Sequence, residues 1–136
     1  MSTVKNTKFG SHLIFDAYGC DFDSLNNKQL CENVLNNLVK LGDMKKLNDP
    51  FIIEASGNET LGGKDPGGYS GFVIIRESHV SIHTFAKRGY VTIDIYSCRE
   101  FDAQESIDYL VNTFKPADYD VIKLDRGLKY PSENIY

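Results

Sequence analysis

Basic charge is in short supply in this chain. Fifteen Lys and Arg stand against nineteen Asp and Glu, for a formal net charge of -4. No basic stripe is available to neutralise phosphates, which argues against a nucleic-acid partner. Long apolar runs are also missing. The longest, Phe72-Val73-Ile74-Ile75, is far too short to span a bilayer, so no membrane association is expected. Met1 to Phe9 is polar and lacks the apolar core of a signal segment, which makes the cytoplasm the expected location. Cysteine is confined to Cys20, Cys31 and Cys98. The odd number and the lack of any Cys-x-x-Cys speak against a disulfide framework and a zinc site. Neither an internal repeat nor a heptad run nor a low-complexity tract occurs.

What is present suits a single folding unit. A chain of 136 residues fits one domain spanning 1–136 and is long enough to bury a core without staples. His12 to Tyr18 is apolar and aromatic and reads as a strand. Asp21 and Asp23 offer N-caps for a helix whose apolar positions Leu30, Val34, Leu38 and Leu41 follow helical spacing, with Gly42 as its stop. Phe51 to Ala55 is a short strand, and the glycine-rich stretch from Ser56 to Gly68 is a loop. Three strand-like runs follow, Gly71–Arg76, His79–Phe85 and Tyr90–Tyr96, the last two joined by a turn at Lys87-Arg88-Gly89. A second helix starts at Asp102 with Glu105 as capping partner, carries Ile107, Leu110, Val111 and Phe114 on one stripe and stops at Pro116. Tyr119 to Leu124 is the final strand. This order implies an α+β fold, a two-layer α/β sandwich with a mainly antiparallel sheet and both helices on one face. The other sheet face then needs cover, and a homodimer formed through the sheet supplies it.

The chemistry concentrates in Arg76-Glu77-Ser78-His79-Val80-Ser81-Ile82-His83-Thr84-Phe85, which holds two of the three histidines beside a Glu-Ser bond. A phosphate loop is a poor account of the glycines. Gly63-Lys64 is followed by Asp65, and Asn58 stands where the first glycine belongs. His79 and His83 align on one strand face, but spacing supplies no third metal ligand. Ser78 lacks the Gly-x-Ser-x-Gly elbow of a hydrolase nucleophile. Self-processing remains. A serine hydroxyl can attack the preceding carbonyl to give an ester. Loss of the serine Cα proton then expels the carboxylate, and hydrolysis leaves a pyruvoyl group. Such chemistry needs a tight bend, an oxyanion stabiliser and a nearby base. The resulting ketone condenses with a substrate amine and withdraws electrons from a departing carboxylate, as pyridoxal phosphate does.

Glu77-Ser78-His79-Val80-Ser81-Ile82-His83-Thr84 resembles the processing-site signature of the small bacterial and archaeal S-adenosylmethionine decarboxylase proenzymes. Gly10-Ser11-His12-Leu13-Ile14 with Asp16 and Gly19-Cys20, then Gly68-Tyr69-Ser70-Gly71, Asp94 to Cys98 and Arg126-Gly127 are similar to the same family, so the resemblance spans about residues 9 to 127. It implies cleavage between Glu77 and Ser78 into 1–77 and 78–136, with Ser78 becoming the pyruvoyl cofactor and neither metal nor pyridoxal phosphate required. It further implies Ser70 as an aid to the acyl shift, His83 beside the scissile bond as processing base, and Cys98 as proton donor in turnover. The partner is a small-molecule substrate, and sites near the dimer interface draw residues from both chains. The activity implied is decarboxylation of S-adenosylmethionine for spermidine synthesis. Relatives that act on arginine or ornithine leave that alternative open, as does an unprocessed regulatory paralogue. Three positions depart from the family. Lys87 replaces a carboxylate associated with the ribose hydroxyls, Arg99 replaces a frequent glycine, and Lys64 stands where an aromatic often stacks on adenine. Lysine cannot accept hydrogen bonds from ribose hydroxyls, so Lys87 is a candidate specificity residue.

Overall fold

Alternating apolar residues build most of the sheet. The computed structural model describes residues 5–136, so the first four residues of the polar Met1–Phe9 stretch lie outside the described residues. Nine residues, Gly10–Tyr18, form strand β2, after a two-residue strand β1 at Asn6–Thr7. Leu13, Phe15 and Ala17 point to the core while His12, Ile14 and Asp16 face away, as a period of two requires. Helix α1 (Phe22–Leu25), helix α2 (Lys28–Leu41) and strand β3 (Phe51–Ser56) follow. Strands β4 (Gly67–Ile75), β5 (Ser78–Phe85) and β6 (Tyr90–Ser97) come next. Helix α3 (Ala103–Phe114), strand β7 (Asp118–Arg126) and the short β8 (Tyr130–Pro131) complete the chain.

The main sheet has six strands in the order β3-β4-β5-β6-β2-β7, every neighbour antiparallel. One face carries Leu13, Phe15, Val73, Val80, Ile82, Val91, Ile93 and Ile95. These pack with Val34, Leu35 and Leu38 of α2 and Leu110 and Phe114 of α3 in one buried cluster. Full burial of Phe15 and Phe114 contributes roughly 1.5–3 kcal/mol for each ring. The opposite face has no helix. Phe51, Ile53, Phe72, Ile74, Ile122 and Leu124 lie exposed on it. No helix among the described residues is long and apolar enough to cross a membrane.

The expected helix after Asp21 is two helices. Asp21 caps only α1, accepting from the Ser24 N–H, and Asn27 caps α2, accepting from the Leu30 N–H at 2.9 Å. Asn26-Asn27 breaks the run because short amide side chains compete for helix backbone groups and favour caps. The glycine loop is also shorter than expected. Strand β4 starts at Gly67, and Gly68 lies so close to the Thr84 carbonyl that a Cβ would overlap it. The second helix begins as expected, with the Asp102 carboxylate accepting from the Glu105 N–H. It ends with Lys115 in the left-handed region before Pro116.

Candidate active site

Strands β4 and β5 are joined by only two residues, Arg76 and Glu77, between the paired Ile75 and Ser78. Two-residue hairpins favour turns with positive φ at a central residue, which suits Gly and Asn. Arg76 and Glu77 do not take positive φ; the next residue does, with Ser78 at φ 154°. Side chains rarely adopt that value, and such strain persists only where the surroundings enforce it. The site expected to cleave is therefore the strained point of its hairpin. The tight bend that self-processing requires is present.

The Glu77 carbonyl has a fixed donor. The backbone N–H of Cys98, just past the end of β6, donates to it at 3.0 Å. Gly10 makes that approach possible, since a Cβ there would overlap the Ser97 carbonyl and crowd the Cys98 backbone. The thiol of Cys98 is exposed, whereas Cys20 and Cys31 are shielded and burial pushes both up to about 11. Cys98 is thus the exposed cysteine of the three, and its backbone adjoins the Glu77–Ser78 bond.

Ser70 and His83 meet elsewhere. They are cross-strand partners, with the Ser70 hydroxyl 2.9 Å from His83 Nδ1, on the face without helices. Within one chain His83 is not beside the scissile bond. It lies five strand positions from Ser78, roughly 16 Å at strand rise. The four candidate residues fall into two groups toward opposite ends of β5, Ser78 near the Cys98 backbone and Ser70 bonded to His83. His79 and His83 do share a face, but four residues of strand put them roughly 13 Å apart, too far to hold one ion.

Between the two pairs lies a polar network that the sequence reading missed. His12 Nε2 is 2.8 Å from Asp94 Oδ1, the Ser81 hydroxyl donates to Asp94 Oδ2, and the Arg126 guanidinium sits 4.1 Å over the Tyr96 ring. Burial, helped by nearby His12 and Arg126, pushes His79 below the ordinary histidine range. The signal was available in strand alternation, which puts His12, Asp94 and Tyr96 on the uncovered face.

The departures from the family pattern occupy different places. Lys87 is exposed and lines a cleft of about 420 Å³ with Glu54, Phe22, Asn26 and Tyr69. Lys64 lines a separate cleft of about 600 Å³ with Tyr18, Phe85, Arg88 and Tyr90. Tyr90 there lies 5.5 Å, ring to ring, from both Tyr18 and Phe85. Arg99 pairs with Asp43 at 2.8 Å. Glu54, a carboxylate in the same cleft as Lys87, was not anticipated.

Comparison with known proteins points one way. The residue pattern of a family described as S-adenosylmethionine decarboxylase matches residues 11–127. The chain is similar to the S-adenosylmethionine decarboxylase proenzyme of Geobacillus sp. (strain WCH70), with 34% identity over 120 residues covering 88% of this chain and 89% of that protein. It is similar to the proenzyme of Thermococcus kodakarensis, with 30% identity over 127 residues covering 93% and 82%. Among solved structures it is similar to the adenosylmethionine decarboxylase from Aquifex aeolicus, with 26% identity, a TM-score of 0.73 and coverage of 94% of this chain and 98% of that one.

Proposed function

The chain belongs to the S-adenosylmethionine decarboxylase family, and from that premise we propose that it is made as a proenzyme, cleaves itself between Glu77 and Ser78, and acts as a carboxy-lyase on S-adenosylmethionine. One observation carries this reading: the strained Ser78 follows a carbonyl that already accepts a hydrogen bond from the Cys98 N–H.

The steps balance on the chain's own atoms. Ser78 Oγ attacks the Glu77 carbonyl carbon, and the tetrahedral oxyanion develops where the Cys98 N–H points. The C–N bond breaks, leaving an ester on Oγ and a free amine on Ser78. Removal of the Ser78 Cα proton expels the Glu77 carboxylate. The remaining enamine takes up water and releases ammonia, so fragment 78–136 starts with a pyruvoyl group. Pre-aimed donors at a developing oxyanion are worth roughly 2.7–4 kcal/mol each. The family implies this group, and a serine at a hairpin end, preceded by a carbonyl that accepts from the Cys98 N–H, fits its formation. When present it supplies an electron sink for loss of carbon dioxide. Cys98 is positioned beside it to hold the proton that replaces the carboxylate.

Ser70 and His83 complete this scheme from a second copy. A two-fold axis lying in the plane between two uncovered sheet faces and running across the strands would bring the Ser70–His83 end of one protomer onto the Ser78–Cys98 end of its partner. The exposed Phe51, Ile53, Phe72, Ile74, Ile122 and Leu124 supply apolar area for such an interface.

A product assay of purified protein against S-adenosylmethionine, arginine and ornithine tests the substrate. Carbon dioxide release from S-adenosylmethionine is expected; release only from arginine or ornithine would transfer the chain to the alternative. Cys98→Ala protein, once cleaved, should lose about 100-fold in turnover or inactivate during it, the scale of a lost general acid. Normal, sustained turnover would assign the proton to another group. Lys87→Glu should strengthen S-adenosylmethionine binding. A charge-assisted hydrogen bond to a ribose hydroxyl contributes about 1.5–3 kcal/mol, or roughly ten- to a hundredfold in binding. Unchanged or weaker binding would make Lys87 an ordinary turn residue.

A further inference from the structure

Between α2 and β3 the chain does not run free. After Gly42, Asp43 takes φ 51°, the Met44 N–H donates to the Val39 carbonyl, and the Met44 side chain is buried. The backbone then lies along the last residues of β4. The Arg76 N–H donates to the Lys45 carbonyl at 2.8 Å, the Leu47 N–H donates to the Ile74 carbonyl at 2.7 Å, and Lys46 bridges Ile75. In effect the edge strand β3 continues past its own start toward the hairpin. Asn48-Asp49-Pro50 interrupts it, and proline has no N–H for a ladder. Asn48 repairs the break, its Oδ1 accepting the Ile74 N–H at 2.7 Å. At the far end, the Lys45 N–H donates to the Glu77 side chain, at 3.1 Å from Oε1.

Glu77 is thereby held twice. Its main-chain oxygen accepts from Cys98 and its side-chain oxygen accepts from Lys45. The two donors come from segments on opposite sides of the hairpin. We propose that the strap from Met44 to Asn48 is a positioning element for self-cleavage. It pins Glu77, the acyl-side residue, so that turn strain falls on Ser78 and the scissile carbonyl stays against the Cys98 N–H. The Glu77 carboxylate is then a positioning group, acting through backbone geometry rather than on the reacting atoms. The exposed Arg99–Asp43 ion pair lies just before the strap, and pairs this exposed contribute little.

This inference rests on the self-cleavage reading, and the test separates the two. Cleavage of freshly refolded proenzyme is followed by intact mass for wild type, Glu77→Ala, Glu77→Gln, Asn48→Ala and Asn48→Asp. Loss of one positioning hydrogen bond should slow cleavage about three- to tenfold. Glu77→Ala and Asn48→Ala should both show this, while Glu77→Gln and Asn48→Asp, which keep an acceptor oxygen, recover most of the rate. Hydroxylamine, which opens an ester but not an amide, should not rescue the slow variants, because their defect precedes ester formation. Thermal midpoints measured in a Ser78→Ala background should stay within a few degrees of each other. A wild type that never cleaves overturns the self-cleavage reading itself. A wild type that cleaves while both alanine variants keep pace overturns only the strap, as does a slow variant that hydroxylamine restores or whose loss tracks its thermal midpoint.

Discussion

Ser78→Ala protein is expected to remain a single chain of 15.3 kDa under conditions in which the wild type separates into 1–77 and 78–136. Fragment 78–136 of the wild type should resist N-terminal sequencing, because its first residue carries a ketone instead of an amine. The variant should also release no carbon dioxide from S-adenosylmethionine. Both losses are complete rather than partial, since they have one cause. The hydroxyl is the only atom of residue 78 that can accept the acyl group, and the electrophile arises only from the bond that breaks. The fold should survive. Alanine keeps the Cβ and meets the same constraint at φ 154°, so the strain of the hairpin is neither relieved nor worsened. Intact-mass measurement of the variant after prolonged incubation checks the first loss, and the product assay checks the second. Two fragments from Ser78→Ala protein, or turnover by an intact chain, would remove Ser78 from the chemistry.

Much of the fold is legible in the sequence. Strands with a period of two, such as Val91-Thr92-Ile93-Asp94-Ile95, declare their faces, and helix α3 declares its start through Asp102. Their stripes also reveal that one sheet face is left without helices. The break at Asn26-Asn27 was harder, because apolar spacing continues across it and only the capping preference of asparagine marks it. The separation of His83 from Ser78 could have been counted. Five positions on a helix rise only about 7.5 Å, but five on a strand span roughly 16 Å. The strap could not have been read. Lys45 to Asn48 has no apolar alternation, and its place depends on a side-chain oxygen replacing a backbone group across the chain. The donor to Glu77 was equally hidden, since a backbone N–H leaves no mark on residue identity. Motifs identify the side chains of a site, while the main-chain atoms that aim them emerge only from packing.

Co-expression of two inactive chains should restore cleavage, and this is the sharpest consequence of the split site. Ser78→Ala chains keep Ser70 and His83 but have nothing to cleave. His83→Ala chains keep Ser78 but lack the proposed base, whose loss should slow processing by roughly 10²–10⁴. Each alone should therefore stay whole over hours. In a mixed dimer, the Ser78 of the His83→Ala chain faces the intact Ser70–His83 pair of its partner. That composite site is complete, and the other site in the same dimer lacks both groups. With equal expression and random pairing, about half of the His83→Ala chains should be cleaved, while no Ser78→Ala chain is. Tags of different mass on the two chains make the count direct, and sizing chromatography confirms that mixed dimers form. The expectation follows from distance. No side-chain rotation carries the His83 imidazole roughly 16 Å along a strand, and paired strands do not slide without breaking the ladder that joins Ser70 to His83. If confirmed mixed dimers stay uncleaved, His83 must serve the Ser78 of its own chain and the two-chain site is overturned, whereas cleavage of His83→Ala chains on their own would assign the base to another residue. Half-cleavage would instead explain why an uncovered apolar sheet face and a divided constellation occur in the same small domain: the surface that needs cover is the surface on which the site is assembled.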